Sequence, residues 1–195
     1  INAGSERIAR SLGNTLVAPA ITYVPEGDID PPSGHMRFAG TISIPQEVFE
    51  SVLEHTARSL KRHGFTDILF IGDSGPNQRP QESIAKKLSL EWAKEGINVF
   101  HIGDWYKIGV FDDYLISQGA TYEQIGNHAG LRDTSLLLAI APNHVRTNNI
   151  SLGQGPDVDG VSGDPTIASA EYGRIGFDLI FNAALNQIKE LMELE

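Results

Sequence analysis

The stretch DILFIGDSGPN, residues 67–77, decides the fold class of this chain. Its first five residues, 67–71, form a short, mainly apolar run that is typical of a strand in a parallel sheet covered on both faces. The glycine-rich turn at 72–77 leads to a helix predicted from about residue 81 to 95, and residues 97–102 predict the next strand. A strand, a helix and a strand in this order predict parallel pairing through a right-handed crossover.

The rest of the chain extends this alternation on both sides. Residues 16–24 predict a further buried strand, which Pro19 places at a sheet edge or a bulge because proline has no N–H to donate. Apolar periodicity predicts helices at residues 45–63, 134–141 and 168–194. The pattern as a whole predicts an α/β fold, a three-layer α/β/α sandwich with a mainly parallel sheet, built by residues 1–195 as one domain.

Composition and charge exclude several classes of function. The 195 residues carry 15 lysines and arginines against 25 aspartates and glutamates, a formal net charge of −10, so no basic excess is present to bind a nucleic-acid backbone. Without cysteine there is no disulfide framework, thiolate metal site or cysteine nucleophile. No apolar run approaches the roughly 20 residues of a membrane span. We therefore expect a soluble protein of bacterial type, cytoplasmic or periplasmic, that binds neither nucleic acid nor a membrane.

Polar side chains gather after each predicted strand. Ligands of open parallel sheets bind beyond the carboxyl ends of the strands, so residues that follow the strands are candidates for a site. The three sets are Glu26, Asp28, Asp30 and His35; Asp73, Ser74, Asn77 and Gln78; and Asp104, Trp105 and Tyr106. We predict a pocket at this edge, lined by His35, Asp73, Ser74, Asn77, Trp105 and His128.

Each candidate also has a purely structural interpretation. Asp73 and Ser74 are typical caps for the helix that follows them. His128 is either a general acid or base near neutral pH or a histidine that only hydrogen-bonds within its loop. Asp133 suits a helix cap, and His101, inside a strand, suits a satisfied core or edge histidine.

Four motifs in order along the chain resemble those of one family. They are HMRFAGTIS at 35–43, similar to H-x-x-F-P-G-T-I-S; GDSGPN at 72–77, where the family has N-G-H-G-G-N; HAGLRDTS at 128–135, similar to H-A-G-E-x-E-T-S; and GDPTIASAE at 163–171, similar to G-D-P-x-x-A-S-x-E. On these motifs, which span nearly the whole chain, the sequence resembles the creatininase family of amidohydrolases.

The resemblance implies an α/β/α fold assembled into homo-oligomers, often hexamers, and a two-metal centre that activates water against a C–N bond. His128 resembles the family's proton-transfer residue, and we expect catalytic roles for His128 and Asp133. From the predicted pocket at the carboxyl ends of the strands, we expect substrate-binding roles for His35, Asp73, Ser74, Asn77 and Trp105. The chain departs from the family pattern in two motifs. Ser74 stands where the family has an imidazole ligand, with Asp73 before it in place of a glycine, and Leu131 and Asp133 stand where the family has two glutamates. We also expect the family's first strand and first metal-ligand segment to precede Ile1, as a cleaved or separate N-terminal segment.

Two functions remain open from the sequence. The first is a creatininase-like amidohydrolase that acts on a C–N bond of a small linear or cyclic amide with an impaired metal centre. The second is a metal-free, catalytically degenerate relative that serves as a small-molecule binding or assembly protein. Because a serine hydroxyl is a weak ligand for Zn²⁺ or Mn²⁺, we expect weak or absent metal binding by this chain alone.

Overall fold

The computed structural model describes residues 1–194 and contains nine α-helical or β-strand elements in that range. The chain forms two compact units, one built by residues 1–106 with the C-terminal residues from 184, the other by residues 107–183. The elements are α1 (Asn2–Leu12), α2 (Gln46–Arg62), β1 (Asp67–Phe70), α3 (Gly75–Trp92), β2 (Asn98–His101), α4 (Gly109–Ser117), α5 (Tyr122–Ile125), α6 (Leu131–Ile140) and α7 (Ala170–Leu191).

The sheet of the first unit is the parallel pair predicted from the sequence. β1 and β2 pair in parallel, in register from Asp67 opposite Asn98 to Phe70 opposite His101, and α3 makes the crossover between them. The α/β class and the parallel pairing are therefore confirmed. Because both strands run the same way, the residues that follow Phe70 and those that follow His101 lie at one edge of the sheet.

The core of the first unit lies between α2, α3 and the two strands. Helix α2 buries a stripe spaced four residues apart, and α3 buries residues at the same spacing, as an amphipathic helix does against a sheet. The cluster comprises Phe49, Leu53, Ala57, Ile68, Phe70, Ile84, Ala85, Leu88, Trp92 and Val99. Arg58 of α2 also contacts Glu91 of α3 at 2.7 Å, and this guanidinium lowers the pKa of the Glu91 carboxyl to about 2.

Helix α3 begins six residues earlier than the sequence predicts, at Gly75 instead of residue 81. Pro80 lies inside it, and a proline usually ends a helix because it lacks an N–H and crowds the preceding turn. Pro80 is the sixth residue of α3, so its missing N–H costs one intrahelical hydrogen bond, the one to the Pro76 carbonyl, whereas Pro76 itself suits an early helical position. The helix nevertheless continues through Pro80 and brings Asn77 and Gln78 into its first turns.

The prediction of a strand at residues 16–24 is wrong. The structure leaves this segment without regular secondary structure, and Leu16 is 77% exposed. At the end of this segment, the Val24 carbonyl accepts a hydrogen bond from the Ile44 N–H at 3.3 Å. An apolar run forms a strand only where another backbone pairs with it, and no such strand lies beside it among residues 1–194.

The second unit is helical and packs closely at two glycines. Phe111, Leu115, Ile125 and Leu131 form its buried apolar positions on α4, α5 and α6. A side chain at Gly173 would overlap the Ser135 carbonyl, and one at Gly176 would overlap the Phe111 ring. None of the helices among residues 1–194 combines the length and the apolar character needed to cross a membrane.

Substitutions of two leucines of α3 should differ sharply in their effect on stability. Leu88 is 0% exposed and Leu90 is 80% exposed, on the same helix and two residues apart. We expect Leu88→Ala to lower the free energy of unfolding by about 2–5 kcal/mol, because it removes buried methyl groups and leaves a cavity. The matched control, Leu90→Ala, is expected to change it by less than about 0.5 kcal/mol. Urea denaturation measures both, and equal effects of the two substitutions would contradict this core.

Candidate functional site

The carboxylate of Glu26 joins two of the predicted site residues in the first unit. Its Oε2 lies 2.5 Å from His35 Nδ1, and its Oε1 accepts a hydrogen bond from the Ser74 hydroxyl at 3.2 Å. Glu26 and His35 come from the loop after residue 24, whereas Ser74 follows β1. The structure thus brings the first and second loops of the predicted pocket edge together on one shared carboxylate.

The loop that carries Glu26 and His35 is fixed by its own hydrogen bonds. The buried Ser43 hydroxyl accepts from the Glu26 N–H at 2.9 Å and donates to the Gly27 carbonyl at 2.7 Å. The His35 N–H in turn donates to the Glu26 carbonyl at 2.8 Å. Gly27 has φ of 133°, and a side chain there would overlap the Ser33 carbonyl, so the turn requires glycine. Sequence reasoning missed Ser43, although it lies within the HMRFAGTIS motif.

Ser74 precedes α3, but its side chain does not cap the helix. It occupies the N-cap position with extended backbone, and its hydroxyl donates to Glu26 instead of accepting from the helix. The capping interpretation of Ser74 is therefore wrong, because hydrogen bonds to an ionised carboxylate are stronger than those between neutral groups. Asp73 is largely exposed, and its carboxylate lies 3.1 Å from the backbone nitrogen of Ile1.

Two amide side chains at the start of α3 are buried among the site elements. Asn77 is 6% exposed and Gln81 is 4% exposed, and neither side-chain oxygen has a hydrogen-bond partner among residues 1–194. Trp105 is also buried, and its indole lies so close to Gly4 of α1 that a side chain at Gly4 would overlap it. Trp105 thus packs against α1.

Gln78 connects the turn after β1 to the end of β2. Its amide nitrogen donates to the carbonyls of Gly72, at 3.1 Å, and Ser74, at 2.9 Å. Its amide oxygen lies 3.0 Å from His101 Nε2. Burial lowers the pKa of His101. The expectation of a satisfied, structural histidine at position 101 is confirmed by this contact.

The second unit holds His128 in a constrained turn. Ala129 has a positive φ of 51°, which is uncommon for a residue with a side chain. The Asp133 carboxylate accepts from the Ala129 N–H at 3.0 Å, and the Thr134 hydroxyl donates to the Ala129 carbonyl at 2.9 Å. The His128 carbonyl accepts from the Ser162 N–H at 2.8 Å. The backbone on both sides of the His128 side chain is therefore fixed.

A buried ion pair supports α6, and sequence reasoning missed it. Arg132 Nη1 contacts both carboxylate oxygens of Asp112, at 2.9 and 3.0 Å, while its Nε contacts Asp133 at 3.3 Å. Burial alone would lower the pKa of Arg132, but the contacts with Asp112 and Asp133 outweigh it and raise the pKa. Asp133 is thus engaged with Ala129 and Arg132, as a residue that shapes the turn.

The residues near Ser74 do not fit a two-metal centre. No group of three or more histidine, aspartate or glutamate side chains converges anywhere in the part of the chain that the structure describes. Glu26 and His35 contact each other, and Ser74 donates its hydroxyl proton to the same carboxylate. Transition metals in proteins require more imidazole or carboxylate donors than this pair supplies.

The positive φ of Ala129 in the His128 turn predicts that a glycine at this position does not destabilise the protein. We expect Ala129→Gly to keep or raise the free energy of unfolding, by up to about 1 kcal/mol, because glycine adopts positive φ without strain. The control Ala139→Gly, in helix α6, should lower it by about 0.5–1 kcal/mol because glycine is a poor helix former. Thermal or urea denaturation compares them, and equal destabilisation by both would contradict the strained turn.

Comparisons with known proteins place the chain in a family. The family model described as creatininase, creatinine amidohydrolase, matches residues 2–188. A mycofactocin precursor peptide peptidase of Mycobacterium ulcerans (strain Agy99) is 28% identical over 185 residues, covering 86% of this chain and 63% of the relative. A protein of the same name from Mycolicibacterium smegmatis is 25% identical over 193 residues, covering 90% and 67%. The chain therefore spans less than two thirds of the first of these relatives.

Solved structures agree on the fold. A crystal structure of creatinine amidohydrolase (creatininase) has a TM-score of 0.71 and 22% identity, covering 97% of this chain and 80% of that one. Creatininase structures described as a Zn-Zn type mutant and as "Creatininase Mn" each have a TM-score of 0.74 and 22% identity at the same coverage. With the ordered motifs and the family match over nearly its whole length, the chain belongs to the creatininase family of amidohydrolases.

Proposed function

We propose that this protein hydrolyses a C–N bond of a small linear or cyclic amide or of a short peptide. The observation that carries the proposal is the His128 turn, in which a strained alanine is held by Asp133 and Thr134 beside an imidazole. Backbone strain of this kind costs about 1–3 kcal/mol and is concentrated at functional sites. The relatives named as peptide peptidases support an amide or peptide substrate.

His128 and Asp133 have different roles in this proposal. Imidazole is the side chain best suited to exchange a proton near neutral pH, so His128 would donate a proton to the leaving nitrogen or accept one from water. Asp133 is a positioning residue, since its carboxylate is hydrogen-bonded to Ala129 and Arg132. It fixes the turn from which the imidazole of His128 acts.

The substrate-binding residues belong to the first unit. His35, Asp73, Ser74, Asn77 and Trp105 are the proposed contacts, at the edge of the sheet where ligands of open α/β folds bind. The side-chain amide of Asn77 both donates and accepts hydrogen bonds, which suits an amide group of the substrate. Asp73 is exposed and suits a polar or cationic part of the substrate.

A second candidate function is a binding or assembly protein without hydrolytic activity. The observation that favours it is Glu26, whose two carboxylate oxygens are taken by His35 and Ser74. An internal network of this kind satisfies polar groups that an active metal site would leave for ligands. Family resemblance supports a homo-oligomer, a hexamer, for either function.

Hydrolysis is tested with the unmodified protein and two histidine variants. We expect a panel of short peptides, linear amides and cyclic amides to contain a substrate, and His128→Asn to lower its kcat by about 100-fold or more, as loss of a general acid or base does. His144→Asn, which changes an exposed histidine of the same unit, is the matched control and should retain activity. Hydrolysis that His128→Asn leaves unchanged would refute the proposed role, and no cleavage of any panel member would favour the binding protein.

The metal proposal is tested by restoring the imidazole. We propose that this chain holds no tightly bound pair of metal ions, because Ser74 supplies a neutral hydroxyl at the ligand position. Elemental analysis after dialysis against chelator should find at most one weakly held cation per chain. Ser74→His should raise the affinity for zinc or manganese. Ser74→Ala is the control, because it removes the same hydroxyl without adding an imidazole, and it should not raise the affinity. Two retained metal ions per chain in the unmodified protein would show the proposal to be wrong.

A further inference from the structure

Gln78 uses every hydrogen-bonding group of its side chain inside the first unit. Its amide nitrogen has two N–H groups, and it donates to the carbonyls of Gly72 and Ser74. Its amide oxygen meets His101 Nε2 at 3.0 Å. One side chain in the first turn of α3 thereby connects the turn after β1 to the last residue of β2.

The surroundings of Gln78 fix both its orientation and the position of a proton on His101. A carbonyl oxygen only accepts hydrogen bonds, so the amide nitrogen of Gln78, and not its oxygen, must face Gly72 and Ser74. The amide oxygen therefore faces His101 and requires a donor there. It follows that Nε2 of His101 carries a hydrogen in the neutral ring.

His101 is itself held in place. The Gly103 backbone approaches its ring so closely that a Cβ added there would lie 3.2 Å from Cε1. Gln187 of α7 lies 3.5 Å from the His101 carbonyl and accepts from the Asp104 N–H at 2.9 Å, which fixes the chain after β2. The residue is partly buried and makes a firm anchor for Gln78.

The turn held by Gln78 is the one that carries Ser74. The Ser74 carbonyl accepts from Gln78 and from the Asn77 N–H at 3.2 Å, while the Ser74 hydroxyl donates to Glu26. Without the amide of Gln78, the carbonyls of Gly72 and Ser74 would lose a shared donor. The turn would then relax and move the hydroxyl away from Glu26.

We propose that Gln78 is a positioning residue, anchored on His101, that holds the Ser74 hydroxyl on Glu26 and so orients the Glu26–His35 pair. The hydrogen-bonded series runs from His101 through Gln78, Ser74 and Glu26 to His35. The significance of this role rests on the proposed function, in which Ser74 and His35 bind substrate. The series itself is a property of the folded chain and is testable without any substrate.

The test uses nuclear magnetic resonance on the unmodified protein and three variants. In the unmodified protein, the ring ¹⁵N shifts of His101 should show the hydrogen on Nε2. Gln78→Glu, whose carboxylate donates to neither carbonyl, and Gln78→Met, which has no polar group, should each increase hydrogen exchange of the Asn77 amide about tenfold, the ratio that about 1.4 kcal/mol of lost stabilisation gives. Both should also shift the ring signals of His35.

The control variant adds the same charge elsewhere on α3. Ser83→Glu, at an exposed position, should leave Asn77 exchange and the His35 signals as they are in the unmodified protein. A hydrogen on Nδ1 of His101 would overturn the proposal, and so would two Gln78 variants whose Asn77 exchange and His35 signals are unchanged. Absence of cleavage of every peptide and amide in the panel would refute the proposed function and leave this result standing, so the two failures are distinguishable.

Discussion

The parallel pairing of β1 with β2 is the constraint on which the first unit depends. Two strands that run the same way need a crossover, and α3 provides it while covering the pair with an apolar stripe. Both strands then end at the same edge, with Phe70 opposite His101. The turn that carries Ser74 and the first turn of α3 follow directly, so Gln78 reaches the end of β2 with a single side chain.

The Glu26 carboxylate gives this edge its chemical character. It lies between an imidazole and a hydroxyl, and the hydroxyl stands where the family resemblance expects a metal-binding imidazole. The Ser74 hydroxyl is satisfied within the protein, because it donates a hydrogen bond to Glu26. Glu26, His35 and Ser74 therefore form a closed hydrogen-bonded set at this edge.

Local patterns in the sequence predicted the elements that local interactions determine. The apolar run of β1 and the periodic stripe of α2 lie where the pattern indicates, since both depend on short-range spacing. The prediction of a strand at residues 16–24 is wrong because a strand needs a partner strand, which the residues of the segment itself do not specify. The predicted start of α3 is too late because proline usually ends a helix, whereas α3 accommodates Pro80 as its sixth residue.

In the candidate site, the sequence predicted the polar residues but not the tertiary contacts between them. The motif resemblance singled out His35, Ser74 and His128, and simple position after a strand singled out Glu26 and Gln78 as polar residues. Two of their connections could not be predicted, because Ser74 and Glu26 are 48 residues apart in the chain and His101 and Gln78 are 23 apart. The most direct test is a double-mutant cycle on the free energy of unfolding with Glu26→Ala and Ser74→Ala. A shared hydrogen bond predicts a coupling of about 1 kcal/mol, whereas additivity within about 0.3 kcal/mol would contradict it.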